Sequence, residues 1–402
     1  MKVLVADAVD EAGLGELRAC GCDVTYEPGL KDAALRDAVA STRCNVLIVR
    51  GTEVPKEVIE ATDDLGLIIR AGAGYNTIDV AAASRRSVAV ANCPGKNAVA
   101  VAELTFGLIL ALDRRIVDGA VDLRNGKWNK KEYSKARGLK GRTLGVVGVG
   151  DIGRAVIQRG QAFEMNVVAY SRSLTHDAAV ELGVLRCASP AEVAGRCDIL
   201  TVHLAASPET KNIINADVLK QLSPGSYVIN TARADVMDYA ALAEAVKSCG
   251  IRAGLDVFPR EPATGQGEFV TDIIRAGGVV YGTHHIGAST DEAQAAIAEE
   301  AVRIAKTYAT TGEVLHCVNI ENRCNAACQL VVRHYDKVGV LACVLDVVSR
   351  ANISVKQMSN TIYQGYEAAV AIIQLDKMPP PTLVESIAGL KDKVIKVEVK
   401  TL

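Results

Sequence analysis

Short apolar runs alternate with amphipathic stretches through the first 95 residues. KVLVAD, CDVTYE, VLIVRG, LGLIIRAG and SVAVANCPG have the length and β-branched content of strands, and the spacing predicts helices over 9–20, 30–40 and 55–62. Pro94-Gly95 breaks the chain. Residues 98–112 (AVAVAELTFGLILAL) then read as a nearly all-apolar helix, buried on most sides as at a domain junction or dimer interface. Glu103 within it needs a partner if it is buried. Residues 119–142 are polar, with Trp128 and a basic run over 127–135, and read as a solvated or subunit-contacting connection.

The alternation resumes in TLGVVGVGDIGRAVIQRGQAFEMNVVAYSR, residues 143–172. An apolar run enters glycines spaced GxGxxG (Gly148, Gly150, Gly153), a helix is predicted over 154–163, and a second apolar run follows at 167–170. This is the strand, turn, helix, strand unit of a dinucleotide site: the glycines allow a tight turn, close approach to a pyrophosphate and close helix packing. The helix N-terminus presents unpaired N–H groups to the phosphates. Strands DILTVHL, SYVINTA, AGLDVF and GVVYGT follow, with helices over 216–221, 240–249 and 287–311. From Cys328 onward the order is strand, helix, strand, then the same again, a ferredoxin-like βαββαβ unit. The fold class is therefore α/β: two doubly wound parallel sheets, Rossmann-like and flavodoxin-like, followed by a ferredoxin-like domain.

At 402 residues the chain is long enough for two or three domains, and 49% apolar with 23% charged residues is globular. The eleven Cys are scattered, many in apolar segments such as those of Cys44, Cys93 and Cys343. Neither Cys20 with Cys22 nor Cys324 with Cys328 repeats as zinc ligands do, so reduced, mostly buried thiols and no metal are expected, in a cytoplasmic protein. A net charge of -2 gives no reason for nucleic acid or anionic membrane as a partner. No apolar stretch is long enough to span a bilayer, and the N-terminus lacks the order of a signal peptide.

Ligands of such sheets sit beyond the carboxyl ends of strands, which directs attention to 50–52, 70–75 and 92–97. Arg50 is either a solvated strand end or an anion clamp, and the loop 71–75 is either an anion-binding nest or a plain turn. In the second sheet, Arg233, Glu261 and His285 each follow a strand. Together they suit hydride transfer at an alcohol carbon: His moves the hydroxyl proton, a carboxylate orients it, and Arg holds a substrate carboxylate.

With these residues in view, the chain resembles the D-2-hydroxyacid dehydrogenase family, most closely members that oxidise 3-phosphoglycerate in serine biosynthesis and carry a C-terminal ACT regulatory domain. NTARADVMD carries the family's Arg motif, LDVFPREP its Glu motif, HIGAST its His motif and VGVGDIG its cofactor turn. The resemblance implies a discontinuous substrate-binding domain (1–97 and 287–318), a dinucleotide-binding domain (98–286) and an ACT domain (327–402). It implies catalysis by Arg233, Glu261 and His285, with substrate held by Arg50, Ala73, Gly74, Lys96, Asn97 and Arg233. It places NAD against Gly148, Gly150, Asp151, Ile152 and Gly153, against Ser171, Arg172 and His203, and against Thr231, Ala232, Asp256, His285 and Gly287.

His334, Asp336 and Asn352 match positions where ACT domains bind an amino-acid effector, typically serine. A homodimer or homotetramer is implied as well. A glyoxylate or hydroxypyruvate reductase and a non-catalytic cofactor-sensing partner protein are the alternatives. The chain departs from the family pattern at Ala234 for Gly, His284 for Pro, Asn76 for Asp and Val338 for Pro. It also has Ser171 and Arg172 where an NAD site usually carries Asp or Glu, a change that admits NADP or dual use.

Overall fold

The computed structural model describes residues 1–9, 11–262, 266–275, 277–321 and 325–402. Cys324 and part of the loop expected over 259–267 lie outside the described residues, as does residue 10 of the first expected helix. The chain divides into two units, Met1–Asn319 and Ile320–Leu402.

The first unit holds two parallel sheets. One comprises β1 (Lys2–Val5), β2 (Asp23–Tyr26), β3 (Val46–Val49), β4 (Leu67–Arg70) and β5 (Ala89–Asn92), in the order β2-β1-β3-β4-β5. The central strands β3 and β4 are apolar on both faces because helices cover both. The other sheet contains β6 (Thr143–Val147), β7 (Asn166–Tyr170), β8 (Leu185–Arg186), β9 (Ile199–Val202), β10 (Tyr227–Asn230), β11 (Arg252–Leu255) and β12 (Val280–Gly282). Its order is β12-β11-β10-β9-β6-β7-β8, which reverses direction between β6 and β9 and so opens a crevice at their carboxyl ends.

The chain crosses between the sheets twice. It leaves β5 for the helix Ala98–Arg114, whose apolar face (Phe106, Leu108, Ile109, Leu112) packs under the second sheet. It returns through the helix Asp291–Thr311, whose Ile297, Ala301, Ile304 and Ala305 join Val3, Val5 and Ile69 in a core of the first sheet. Each fully buried aliphatic side chain of this kind contributes about 1.5–3 kcal/mol. Glu103 lies on the exposed side of its helix, 3.3 Å from Arg159, and so needs no buried partner.

Several elements differ from the sequence reading. The stretch 119–142 contains two helices without buried residues, Ile116–Arg124 continuing from upstream and Lys130–Tyr133, which lack the apolar stripe that periodicity detects. The last helix of this unit starts at Asp291 rather than 287, because Thr290 Oγ1 caps it by accepting from Ala293 N–H. β8 and the helices His176–Glu181 and Pro190–Arg196 were not foreseen: each is short, and β8 is an exposed edge. Every described cysteine is free, and among the described residues no helix is long and apolar enough to cross a membrane.

The second unit has the βαββαβ order: β13 (Cys328–Tyr335), the helix Val340–Arg350, β14 (Val355–Ile362), β15 (Ala368–Leu375), the helix Pro381–Ala388 and β16 (Val394–Thr401). The sheet is antiparallel in the order β14-β15-β13-β16. Alternation along β13 buries Cys328, Leu330, Val332 and His334 and turns Arg333 and Tyr335 outward.

Candidate active site

Three strand ends of the first sheet carry the groups of interest, and backbone hydrogen bonds fix each of them. Asp7, just past β1, accepts from the N–H groups of Arg50, Gly51 and Thr52 at 2.6, 3.1 and 3.1 Å. That cradle holds the loop after β3, and the Arg50 side chain donates to Gln294 Oε1 at 2.9 Å. Val49 and Arg70 are register partners, so Arg50 and Arg70 emerge side by side from adjacent parallel strands. Arg70 lies beneath Gly72, where φ is +152° and a Cβ would fall 1.6 Å from the guanidinium, so only glycine fits. Arg70 Nε is buried without a partner among the described residues. Asn92, at the end of β5, donates to Ala73 C=O at 2.6 Å and holds the following loop.

In the second sheet, Arg233 follows β10. Asn230 Nδ2 donates to its carbonyl at 3.0 Å, and its guanidinium lies against Gly74, where a Cβ would come within 2.2 Å. His285 adopts φ +54°, a left-handed conformation that costs a non-glycine residue of order 1–3 kcal/mol. Asp256, buried past β11, compensates for it. Its carbonyl accepts from His285 N–H at 2.8 Å, Oδ1 from Thr283 Oγ1 and Ile286 N–H at 2.5 and 2.9 Å, and Oδ2 from Gly287 N–H at 2.9 Å. Both its oxygens are thus engaged by the loop, so Asp256 positions His285.

The His285 ring bonds through Nδ1 to Glu261 Oε2 at 2.7 Å, and Glu261 Oε1 accepts from Phe258 N–H at 2.7 Å. Burial pushes the Glu261 carboxyl up, but the hydrogen bonds from His285 and the Phe258 N–H outweigh it and hold the group below its ordinary value. As an acceptor-only carboxylate it fixes the proton on Nδ1 and leaves Nε2 available for proton exchange.

These groups border one cavity of about 420 Å³. Arg50, Arg70 and Arg233 line it together with His285, and Asp256 is the sole carboxylate among its described lining residues. Burial lowers the pKa of Arg70, and repulsion from Arg233 and then Arg50 lowers it further; burial also lowers that of Arg233. Guanidinium remains charged regardless. Crowded, desolvated cations of this kind favour an anion among them.

Of the residues expected to hold substrate, Arg50, Ala73, Gly74, Asn97 and Arg233 line this cavity, and Asn97 Oδ1 is buried without a partner among the described residues. Lys96 does not. Its ammonium is 3.2 Å from the buried carboxylate of Glu300, which also pairs with Arg303 and His316, so that cluster takes it away from the cavity. Glu261 stands behind His285, outside the lining. Ile152, His203, Thr231, Ala232, Asp256 and Gly287 reach the cavity from the second sheet.

Gly148, Gly150, Asp151 and Gly153 form the turn beside it, and Ser171 and Arg172 leave the adjoining β7. The turn fits a dinucleotide. Gly148 has φ +99° and a Cβ there would meet His203 O at 2.4 Å; one on Gly153 would meet Gly148 O at 2.0 Å, whereas the space facing Gly150 is open. His203 Nε2 and Thr201 Oγ1 share a hydrogen bond of 2.9 Å, and His203 Nδ1 is buried without a partner among the described residues. Burial pushes its pKa down to about 3, so its imidazole is neutral.

In the second unit the residues expected to hold an effector stand in different surroundings. His334 is buried and bonded through Nδ1 to Tyr335 C=O at 2.7 Å and through Nε2 to Asn360 at 2.9 Å. Asp336 is exposed. Asn352 borders a separate groove between the helix Val340–Arg350 and β14, which neither of the other two lines.

Asp7 and Gln294 escaped the sequence reading, and Arg70 fell within the stretch 70–75 that it singled out without being given a role. The signal for Arg70 was present: VLIVR and LGLIIR are two apolar strands that both end in Arg. Asp7 and Gln294 act only through contacts 43 and 244 residues away, which no local pattern displays.

Comparison with known proteins matches residues 106–287 to the model described as D-isomer specific 2-hydroxyacid dehydrogenase, NAD binding domain. The chain is 37% identical over 298 residues to a D-3-phosphoglycerate dehydrogenase of Methanocaldococcus jannaschii, covering 74% of this chain and 55% of that protein. The chain spans about half the length of the curated relatives it matches. Among solved structures, the TT0316 protein of Thermus thermophilus is 31% identical with a TM-score of 0.68, covering 79% of this chain and 100% of that one. An NAD+-bound 3-phosphoglycerate dehydrogenase of Entamoeba histolytica is 25% identical with a TM-score of 0.65, covering 80% and 99%.

Proposed function

We propose that the chain, whose residues 106–287 match the D-isomer specific 2-hydroxyacid dehydrogenase NAD binding domain, oxidises D-3-phosphoglycerate to 3-phosphohydroxypyruvate. The observation that carries this reading is the convergence of Arg50, Arg70 and Arg233 on one cavity with His285. A 2-hydroxy carboxylate needs one guanidinium, and a phosphate on the same small molecule occupies the other two. Arg233, with the N–H groups of the loop at Ala73 and Gly74, holds the carboxylate, and Arg50 and Arg70 face the phosphate. His285 Nε2 takes the hydroxyl proton while Glu261 stabilises the resulting imidazolium through Nδ1. When bound, NAD accepts the C2 hydride. In this reading His203, Thr231 and Gly287, which line the cavity, hold its nicotinamide end.

The test is a steady-state comparison of 3-phosphoglycerate with D-glycerate. The expected kcat/KM ratio is at least about 100 in favour of the phosphorylated acid, the value of one lost charged contact of roughly 3 kcal/mol. Equal turnover of the two, or a preference for reducing glyoxylate or hydroxypyruvate, points instead to a reductase of the same family. Absence of turnover on any such acid points to a cofactor-sensing partner protein.

The second unit, with its βαββαβ order, serves in this reading as an ACT-type regulatory domain, and the exposed helix Ile116–Arg124 contributes to a homodimer. L-Serine is expected to lower activity in a titration through the C-terminal unit, and a flat response removes serine as the effector.

A further inference from the structure

Asn230 closes β10, Leu255 closes β11, and the two are register partners. The segment that leaves β10 carries Arg233. The segment that leaves β11 supports the other two groups of the site: Asp256 holds the His285 loop, and Phe258 N–H holds Glu261 Oε1 at 2.7 Å. Among the described residues, the last backbone hydrogen bond between the two segments runs from Asp256 N–H to Asn230 C=O at 2.9 Å. Beyond it, side chains set their spacing.

Asn230, fully buried, ties down the first segment. Its Oδ1 accepts from Ala232 N–H and its Nδ2 donates to Arg233 C=O, both at 3.0 Å. The same Nδ2 donates to the Tyr239 hydroxyl at 3.4 Å. Tyr239 opens the helix Tyr239–Cys249, which Asp238 caps by accepting from the N–H groups of Ala240 and Ala241 at 3.0 Å, so the root of its side chain is fixed. Its hydroxyl donates to Val257 C=O, and its ring lies against Phe258 with centroids 6.4 Å apart. Burial raises the Tyr239 pKa well above its ordinary value against the Asn230 hydrogen bond, and the charges of Glu261 and Asp256 add to the rise, so the hydroxyl keeps its proton and remains a donor. Neither Asn230 nor Tyr239 lines the cavity.

We propose that Tyr239 is a positioning residue for the proton route: its hydroxyl fixes the segment 256–258 against the Arg233 loop and so holds Glu261 where it meets His285. This role rests on the function proposed above, in which Glu261 stabilises the His285 imidazolium. Without the hydroxyl, the carbonyl of buried Val257 loses its partner, and the segment is free to move to find another. The Glu261 to His285 contact of 2.7 Å depends on that segment, and a displacement on the order of 1 Å in such a contact costs about 100-fold in rate.

Tyr239→Phe keeps the ring against Phe258 and removes only the hydroxyl. In single turnovers of 3-phosphoglycerate with saturating NAD, followed as NADH absorbance, the variant is expected to slow hydride transfer by about 10-fold, while KM and the affinity for NAD stay within about threefold. Its NAD binding reports that it is folded. Combining it with Glu261→Gln separates positioning from a general loss of structure. Since the hydroxyl acts through Glu261, the double variant is expected to be no more than about twofold slower than Glu261→Gln alone. An unchanged rate in Tyr239→Phe overturns the proposal, as does a double variant in which the two losses multiply, or a fall in rate matched by an equal loss of NAD affinity. A Glu261→Gln protein as fast as the natural chain overturns the proton route itself, and the role of Tyr239 with it.

Discussion

Replacing His285 with alanine is expected to lower kcat for 3-phosphoglycerate by about 10³-fold or more while leaving NAD affinity within about threefold. The expectation follows from how the ring is held. Nδ1 is committed to Glu261 at 2.7 Å, and the backbone is locked in a left-handed turn by four hydrogen bonds to Asp256. Only Nε2 is left to exchange the substrate proton. NAD affinity depends chiefly on the glycine turn and the end of β7, which this substitution does not touch.

His284 is the informative control. It is exposed, and no described contact turns it to the cavity, so His284→Ala should retain activity within about threefold. Glu261→Gln keeps a hydrogen-bonding group opposite Nδ1 and removes the charge. Because that carboxyl sits below its ordinary value, its charge persists to lower pH than on a free glutamate, so the activity lost in the variant should extend across the whole range in which the carboxylate is ionised and narrow only below it. Equal activity of the His285→Ala and natural proteins in a steady-state assay rules out this proton route.

Much of this arrangement was legible in the sequence because it is written in local patterns. The apolar runs of β6 and β7 and the glycines between them fix a turn by sterics alone: a Cβ on Gly148 or Gly153 would collide with backbone. Arg233, Glu261 and His285 each follow a strand, and a parallel sheet brings the ends of its strands to one edge. The βαββαβ order was equally readable from alternation along β13 and β15.

What stayed hidden is pairwise and long-range. Lys96 looked like a substrate cation in a loop beside the site, but Glu300, two hundred residues further on, takes it from behind. Asp256, expected from the resemblance to contact the cofactor, does line the cavity, and the sequence did not show that its oxygens also accept from the loop that carries His285. A sequence shows which side chains can form an ion pair or a clamp. It does not show which partner the fold delivers, and here the partner decides the role.

Arg70 illustrates the same point with a larger consequence. Its guanidinium is desolvated, its Nε has no partner among the described residues, and it shares the cavity with Arg50 and Arg233. In the absence of an anion these cations repel one another, an unfavourable arrangement that an incoming phosphate relieves. Arg70→Ala is therefore expected to reduce kcat/KM for 3-phosphoglycerate by roughly 30- to 150-fold, about 2–3 kcal/mol, chiefly through KM. D-Glycerate, which lacks the phosphate, should change by no more than about threefold.

The same substitution should leave the thermal midpoint of the ligand-free protein unchanged or higher, since it removes a buried, incompletely paired cation. Added inorganic phosphate should raise the midpoint of the natural protein and have a smaller effect on the variant, because ligand stabilisation scales with occupancy of the folded site. If Arg70→Ala instead impairs both acids alike, the guanidinium serves the carboxylate that they share, and Arg233 is left to face the phosphate.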